Sequence, residues 1–426
     1  MEIKIKPAKK VLGQITVPGD KSISHRAVMI GSIARGITTV KGMAESDDCN
    51  YTINAFKAMG VGISSEGNTT VIEGKGLKGL SRPSNAINVG NSGTTMRVLA
   101  GILAGQNFET TLTGDEGLQR RPMKRIVEPL SRMGVDISAR KGDYPPIRIE
   151  GGIVKPIIYK TPVPSAQIKS AILFAGLYAK GTTRVIEKFK SRDHTERMLK
   201  YFGADISFNS RSVSISGGKE LLARSFEIPG DISSASFFIA AAIILKGSSI
   251  KVKNVSINPT RAGILKILKK MGAKVKVVNK KDGFEPVGDI IAQYSKTRGI
   301  TIDKSMIPSV IDELPIIFVL AALSKGRTVI KGSEELRVKE TDRVSSMEYN
   351  LKKAGAVFNI RGNDIIIDGV DKLHGARLNS FQDHRTCMSM AVAALSADSE
   401  SVIRGAESVS KSFPGFFDTL FKLTIV

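Results

Sequence analysis

An apolar run led by a short polar turn recurs six times along the chain: GDKSISHRAVMIGSIARGITTV at 19–40, GNSGTTMRVLAGILAGQNFETTL at 90–112, PSAQIKSAILFAGLYAKGTTRV at 164–185, PGDISSASFFIAAAIILKGSSIKV at 229–252, SVIDELPIIFVLAALSKGRTVI at 309–330 and QDHRTCMSMAVAALSADSESVI at 382–403. A helix that is apolar all round is buried. In most copies the run closes on Gly and a β-branched stretch follows, which predicts a helix C-cap and then a strand. Between the copies lies a second pattern, seen in AFKAMGVGI, PLSRMGVDI, MLKYFGADI, ILKKMGAKVKV and NLKKAGAVFNI. Each is an amphipathic helix with a Lys- or Arg-bearing face that closes on Gly and runs into alternating apolar residues, so it predicts an outer helix. The unit is therefore strand, buried helix, strand, exposed helix, two strands, repeated about every 70 residues.

A chain of 426 residues is too long for one ordinary core. Six units divide three and three near the second Pro-Gly-Asp, which predicts an N-terminal lobe over 20–228 and a C-terminal lobe made of 1–19 plus 229–426, the strand before Pro18 pairing in the second. The expected fold is α/β, a two-lobed inside-out α/β barrel of six βαβαββ repeats with buried helices and outer sheets. Each buried helix opens on polar residues, and the six N-termini are expected to converge on one cleft between the lobes. Helix N-termini carry unpaired N–H groups and about half a positive charge, so such a cleft is an anion site. Lys21, Ser22 and Arg26 at the first N-terminus are read as oxyanion ligands, and His25, beside an apolar helix, as structural.

Composition narrows the chemistry. The two cysteines, Cys49 and Cys387, have no Cys or His at metal-ligand spacing nearby, so neither a disulfide framework nor a zinc motif is expected. The apolar runs fall short of the roughly 20 residues a membrane helix needs, and MEIKIKPAKK lacks the apolar core of an export signal; a cytoplasmic protein is expected. Against 40 acidic residues stand 63 Lys and Arg, a formal net charge of +23. Much of the Lys falls in scattered pairs near predicted helix ends, where cations suit the dipole and stay hydrated, so a solvated exterior accounts for most of the excess.

Nine stretches in order, GDKSISHRA, GNSGTTMR, GDEGLQRRPM, PSAQIKSA, SRDHTE, IDELP, LRVKETDR, DHR and KSFPGFF, resemble the 5-enolpyruvylshikimate-3-phosphate synthases from end to end. The resemblance implies a metal-free, cofactor-free addition and elimination that joins shikimate 3-phosphate to phosphoenolpyruvate. It makes Lys21, Ser22, Arg26, Ser165, Ala166, Gln167, Arg192, Asp312 and Lys339 ligands of shikimate 3-phosphate. It places Lys21, Gly93, Thr94, Arg121, Gln167, Arg343, Arg385 and Lys411 on phosphoenolpyruvate. Asp312, Glu340 and Lys21 are the implied catalytic groups, with His384 a proton-shuttle candidate and Asp383 behind the site. Ala166 stands where many relatives carry a second Ser, and Arg192 belongs to a subgroup with the same SAQ loop, where it compensates. Glu335 replaces an Asn ligand of other members and is not assigned. Glyphosate, a phosphonate and carboxylate anion, occupies the phosphoenolpyruvate site in this family.

Read alone, these stretches have plainer accounts: an N-cap at 19–26, a solvated pair at Arg120 and Arg121, an ion pair at Glu340 and Arg343, which helix periodicity sets on one face. Two other functions compete. A UDP-N-acetylglucosamine enolpyruvyl transferase shares the architecture but ordinarily shows Lys-Asn near its N-terminus and, in many members, a loop Cys; here Ser22 follows Lys21 and TGDEGLQRRP has no Cys. A nucleic-acid-binding protein would interleave its basic patch with aromatic residues, and this chain has no Trp. The expected partners are the two small anionic substrates, with no nucleic acid, no membrane and a monomeric state.

Overall fold

The computed structural model of the chain describes residues 1–425, which form two compact units. The first runs from Gly19 to Ile228. The second combines Met1–Pro18 with the chain from Pro229 onward.

Three buried helices fill the first unit: Lys21–Ser32, Gly93–Leu103 and Ala166–Gly176. They are helical because each lacks an internal proline and is built largely on Ala, Ile, Leu, Met and Val beyond its first turn, and buried because that later part has no continuous polar face. The second and third pack so closely that a Cβ on Gly101 would stand 2.1 Å from the Ala171 carbonyl oxygen. Only glycine permits that approach. Around them stand three sheets of one pattern, the first strand parallel to the second, the second antiparallel to the fourth, the fourth antiparallel to the third. Ile158–Lys160, Thr182–Ile186, Ser212–Ser216 and Asp205–Phe208 form one such sheet. A parallel pair needs a crossover, and the buried helix is that crossover. In the first sheet the parallel strand comes from Leu221–Leu222 and Ser225–Glu227, which lie beside Ala34–Lys41.

The second unit repeats this around Ile232–Ile244, Leu314–Ala322 and His384–Leu395. The N-terminal strands complete its sheets. Lys10–Ile15 runs parallel to Ser249–Ser256, the position a first strand takes elsewhere, and Glu2–Ile5 runs antiparallel to Ser401–Arg404, the position of a fourth. Its core includes a cluster of Phe237, Phe238, Phe413, Phe416 and Phe417, ring centroids 5.3 to 6.0 Å apart.

Two local expectations change. The fifth apolar run does not start one helix at 309: a short helix Ile307–Val310 ends and a new one begins at Leu314. Pro315 belongs in a first turn, where its missing N–H costs nothing, and the break leaves Asp312 and Glu313 ahead of the helix. Glu340 likewise precedes the helix Arg343–Lys353 rather than lying on it, so its pairing with Arg343 comes from a turn and not from helical periodicity.

Candidate active site

Five of the six buried helices are capped by an acid or a serine. Asp20, Ser92, Ser165, Asp231 and Asp383 each accept a backbone N–H from the first turn. The repeated Pro-Gly-Asp is therefore a capping device.

In the Gly19–Ile228 unit the candidate residues fall into linked sets. Lys21, the first residue of its helix, pairs with Asp48 through Nζ to Oδ2 at 2.7 Å. Arg26 is 4 % exposed; its Nε donates to Thr195 Oγ1 at 2.6 Å and its Nη2 to Ser170 Oγ at 3.0 Å, which joins the first buried helix to the third. Ser22 is half-buried and its carbonyl accepts from Arg26 Nη1. Gly93 and Thr94 open the second buried helix. Thr94 Oγ1 accepts from Gln167 Nε2 at 3.1 Å, and Gln167 Oε1 accepts from Arg97 Nη1 at 2.9 Å. Arg121, mostly buried, donates to Asn91 Oδ1, whose Nδ2 donates to both Asp115 oxygens at 2.8 and 2.9 Å. Ser165 and Ala166 start the third buried helix, and Arg192 sits half-buried in the loop before His194–Tyr201.

His25 lies behind this surface, its Nδ1 2.7 Å from Thr52 Oγ1, which is 2.7 Å from Thr95 Oγ1. Burial first, then the charges of Lys21 and Arg26 against that of Asp48, push its pKa down to about 3. An unfolded His titrates near 6.5, so between about pH 6.5 and 3 the unfolded chain binds the extra proton and stability falls as pH falls, by about 1.4 kcal/mol per pH unit from this residue. Urea unfolding of the wild type and of His25→Gln from pH 7 to 4 should show the variant missing that part of the slope. Parallel acid limbs would refute it.

The second unit gathers carboxylates. Arg343, 1 % exposed, donates from Nε to Asp383 Oδ2 at 2.8 Å, from Nη1 to Asp312 Oδ1 at 3.2 Å and from Nη2 to Glu340 Oε2. Arg385 donates to the Asp312 carbonyl at 3.1 Å and lies 3.5 Å from its carboxylate. Burial works against the Arg343 charge, and the charges of Asp383, Glu340 and Asp312 outweigh it and raise its pKa. Asp383 does double service, since its other oxygen caps the helix. His384, its neighbour, is buried as the first residue of that helix, and Lys339 is half-buried beside Glu340. Lys411 Nζ donates to the Gln382 carbonyl at 2.8 Å.

Several partners escape the sequence. Asp48, Arg97 and Asn91 hold Lys21, Gln167 and Arg121. Arg261 donates to Asp231 Oδ1 at 3.0 Å and to Glu313 Oε1 at 2.6 Å, which fixes the residue next to Asp312. Asn91 and Arg97 lie inside the quoted GNSGTTMR stretch, and their polarity beside an apolar run was the available signal. Nothing local marks Asp48 or Arg261. Among the described residues no three His, Cys, Asp or Glu side chains group as a metal site, and no single helix is long and apolar enough to cross a membrane.

Comparison with known proteins gives one answer. The sequence model of the family described as EPSP synthase (3-phosphoshikimate 1-carboxyvinyltransferase) matches residues 5–420. A 3-phosphoshikimate 1-carboxyvinyltransferase of Geotalea daltonii is 49% identical over 423 residues, 99% of each chain, and that of Brevibacillus brevis 46% over 424 residues, 99% of this chain and all of the other. The solved EPSP synthase of Acinetobacter baumannii superposes with a TM-score of 0.89 at 42% identity over 100% of this chain and 98% of that one. The enolpyruvyl transferase NikO of Streptomyces tendae, with a TM-score of 0.80 at 16% identity over 99% and 96%, shares the fold.

Proposed function

Because this chain belongs to the EPSP synthase family and moves the enolpyruvyl group of phosphoenolpyruvate onto the 5-hydroxyl of shikimate 3-phosphate with release of phosphate, we propose that its charged helix ends divide that reaction between binding and proton transfer. The observation that carries the assignment is Arg343, one guanidinium holding Asp312 and Glu340 beside each other, the two carboxylates among the candidate site residues. Asp312 accepts the proton of the 5-hydroxyl as that oxygen bonds to C2 of phosphoenolpyruvate. Glu340, with Lys21, delivers a proton to the methylene carbon, which gives the tetrahedral intermediate. Loss of phosphate and removal of a methyl proton then regenerate the double bond.

We assign Ser22, Arg26, Ser165, Ala166, Gln167, Arg192, Asp312 and Lys339 to shikimate 3-phosphate. Gly93, Thr94, Arg121, Gln167, Arg385 and Lys411 hold phosphoenolpyruvate. Bidentate guanidinium groups suit its phosphate and carboxylate and stabilise the charge that develops. Arg343 was expected on phosphoenolpyruvate; its hydrogen bonds run to carboxylates, and we assign it first to holding Asp312 and Glu340. His384 remains the shuttle candidate. We take the enzyme to act as a cytoplasmic monomer without cofactor. The test is phosphate release with both substrates in the presence of a chelator. Release that requires an added divalent ion, or that proceeds with one substrate alone, would sink the reading.

Gly93 leads to a sharper expectation. A Cβ there would lie 2.8 Å from Arg97 Nη1, which holds Gln167, and 3.3 Å from Arg121 Nη1, so a methyl group projects toward Arg121 and toward the partner of Gln167, and Arg121 and Gln167 are both assigned to phosphoenolpyruvate. Glyphosate is longer than the substrate and needs that space. Gly93→Ala should therefore raise the glyphosate inhibition constant about tenfold or more relative to the KM for phosphoenolpyruvate, a change of about 1.4 kcal/mol or more. Equal tolerance in both proteins would remove Gly93 from control of inhibitor access.

A further inference from the structure

Lys169 is the one charged residue of the helix Ala166–Gly176, and its relative exposure is 0%. A lysine is almost never fully buried unless paired. Here the ammonium lies 2.8 Å from Glu187 Oε2 and 2.7 Å from Glu196 Oε1. Burial works against the charge, and Glu196 and Glu187 outweigh it and keep the group protonated. A third contact reaches the Ser191 carbonyl at 3.4 Å, and the Ser191 N–H donates to Glu187 Oε1 at 3.3 Å. The cluster thus grips both backbone groups of the residue before Arg192. Glu196 follows Thr195, which receives Arg26 Nε and lies 2.6 Å from Ser170 Oγ, the hydroxyl next to Lys169. Replacing such a cluster with apolar side chains of similar volume is often neutral or better for stability, so its presence calls for a role other than holding the core.

We infer that Lys169 is a positioning residue for shikimate 3-phosphate: with Glu187 and Glu196 it fastens the Lys188–Asp193 loop to the helix that presents Ser165, Ala166 and Gln167, and so sets the height and direction of Arg192. The inference rests on the assignment of Arg192 to that substrate. It separates two jobs on one helix. The first turn meets the ligand, and the buried lysine one turn further in holds the neighbouring loop to it.

The experiment uses Glu187→Met, Lys169→Met and Arg192→Ala, alone and paired. Glu187→Met leaves Lys169 and Glu196 as a balanced buried pair and releases the Ser191 N–H. It should raise the KM for shikimate 3-phosphate about tenfold and leave kcat, and the KM for phosphoenolpyruvate at saturating shikimate 3-phosphate, within about twofold, the mark of lost substrate binding without lost chemistry. Lys169→Met should do the same or more. On the Arg192→Ala background neither should add to the rise. Full additivity there, an unchanged KM in Glu187→Met, or a Glu187→Met protein that does not fold would each overturn the inference. Arg192→Ala alone tests the underlying assignment: an unaltered KM for shikimate 3-phosphate would remove Arg192 from the site, and the positioning role with it.

Discussion

Asp312→Asn and Glu340→Gln are each expected to lower kcat about 10²- to 10⁴-fold, the usual worth of a positioned general acid or base. Both replacements keep size and an oxygen that still accepts from Arg343, so the arginine keeps its partners and the fold its packing. What each loses is a carboxyl group able to take up or give a proton. The two defects should differ in kind. Asp312→Asn blocks removal of the hydroxyl proton, whereas Glu340→Gln blocks exchange at the methylene carbon, so the second variant should also fail to place solvent deuterium in the enolpyruvyl product. In both, kcat and kcat/KM should fall together, as for groups that act in the transition state. A kcat near that of the wild type in either variant would leave that carboxylate an ion-pair partner and nothing more.

Arg343→Met should be strongly destabilising. The side chains of Arg343 and Asp383 are 1% and 0% exposed, and removing one partner of a buried pair costs about 3 to 5 kcal/mol because the other charge stays buried. Here three carboxylates would lose the same cation. Asp383 also caps the His384–Leu395 helix, so its displacement would fray the first turn that carries Arg385. Arg343→Lys should recover only part of the loss, since a single ammonium lacks the planar fork that reaches several carboxylates. The urea midpoint measures both. A midpoint for Arg343→Met within experimental error of the wild type would show that the three acids relax into other partners.

The fold was readable from sequence because its signals are local. Six apolar runs with polar leaders, and Gly-closed amphipathic helices between them, define the repeat without knowledge of any contact. Of the candidate ligands, Lys21, Ser22 and Arg26 were readable as polar residues at a helix start, and the others rested on the family resemblance. What did not show was pairing at a distance. Arg26 meets Ser170 and Thr195, 144 and 169 residues away, and Arg343 meets Asp312 and Asp383, 31 and 40 residues away. No local periodicity encodes such contacts. The break at 311–313 was missed for another reason: an apolar count ignores that Pro315 favours a first-turn position.

The N-terminal strand Glu2–Ile5 pairs with Ser401–Arg404, and Arg404 Nε reaches Glu2 Oε1 at 2.7 Å. During synthesis at about 5 to 20 residues per second, that strand waits about 20 to 80 s for its partner, an exposed edge all the while. The Gly19–Ile228 unit suffers no such delay, because every strand of its three sheets emerges before residue 229. It is therefore placed to finish folding on the ribosome while the other unit is still short of half its sheet. The charged residues of Glu2–Ile5 and of the following KPAKK segment then gain a second purpose, since charge along an unpaired edge discourages pairing with a neighbouring nascent chain.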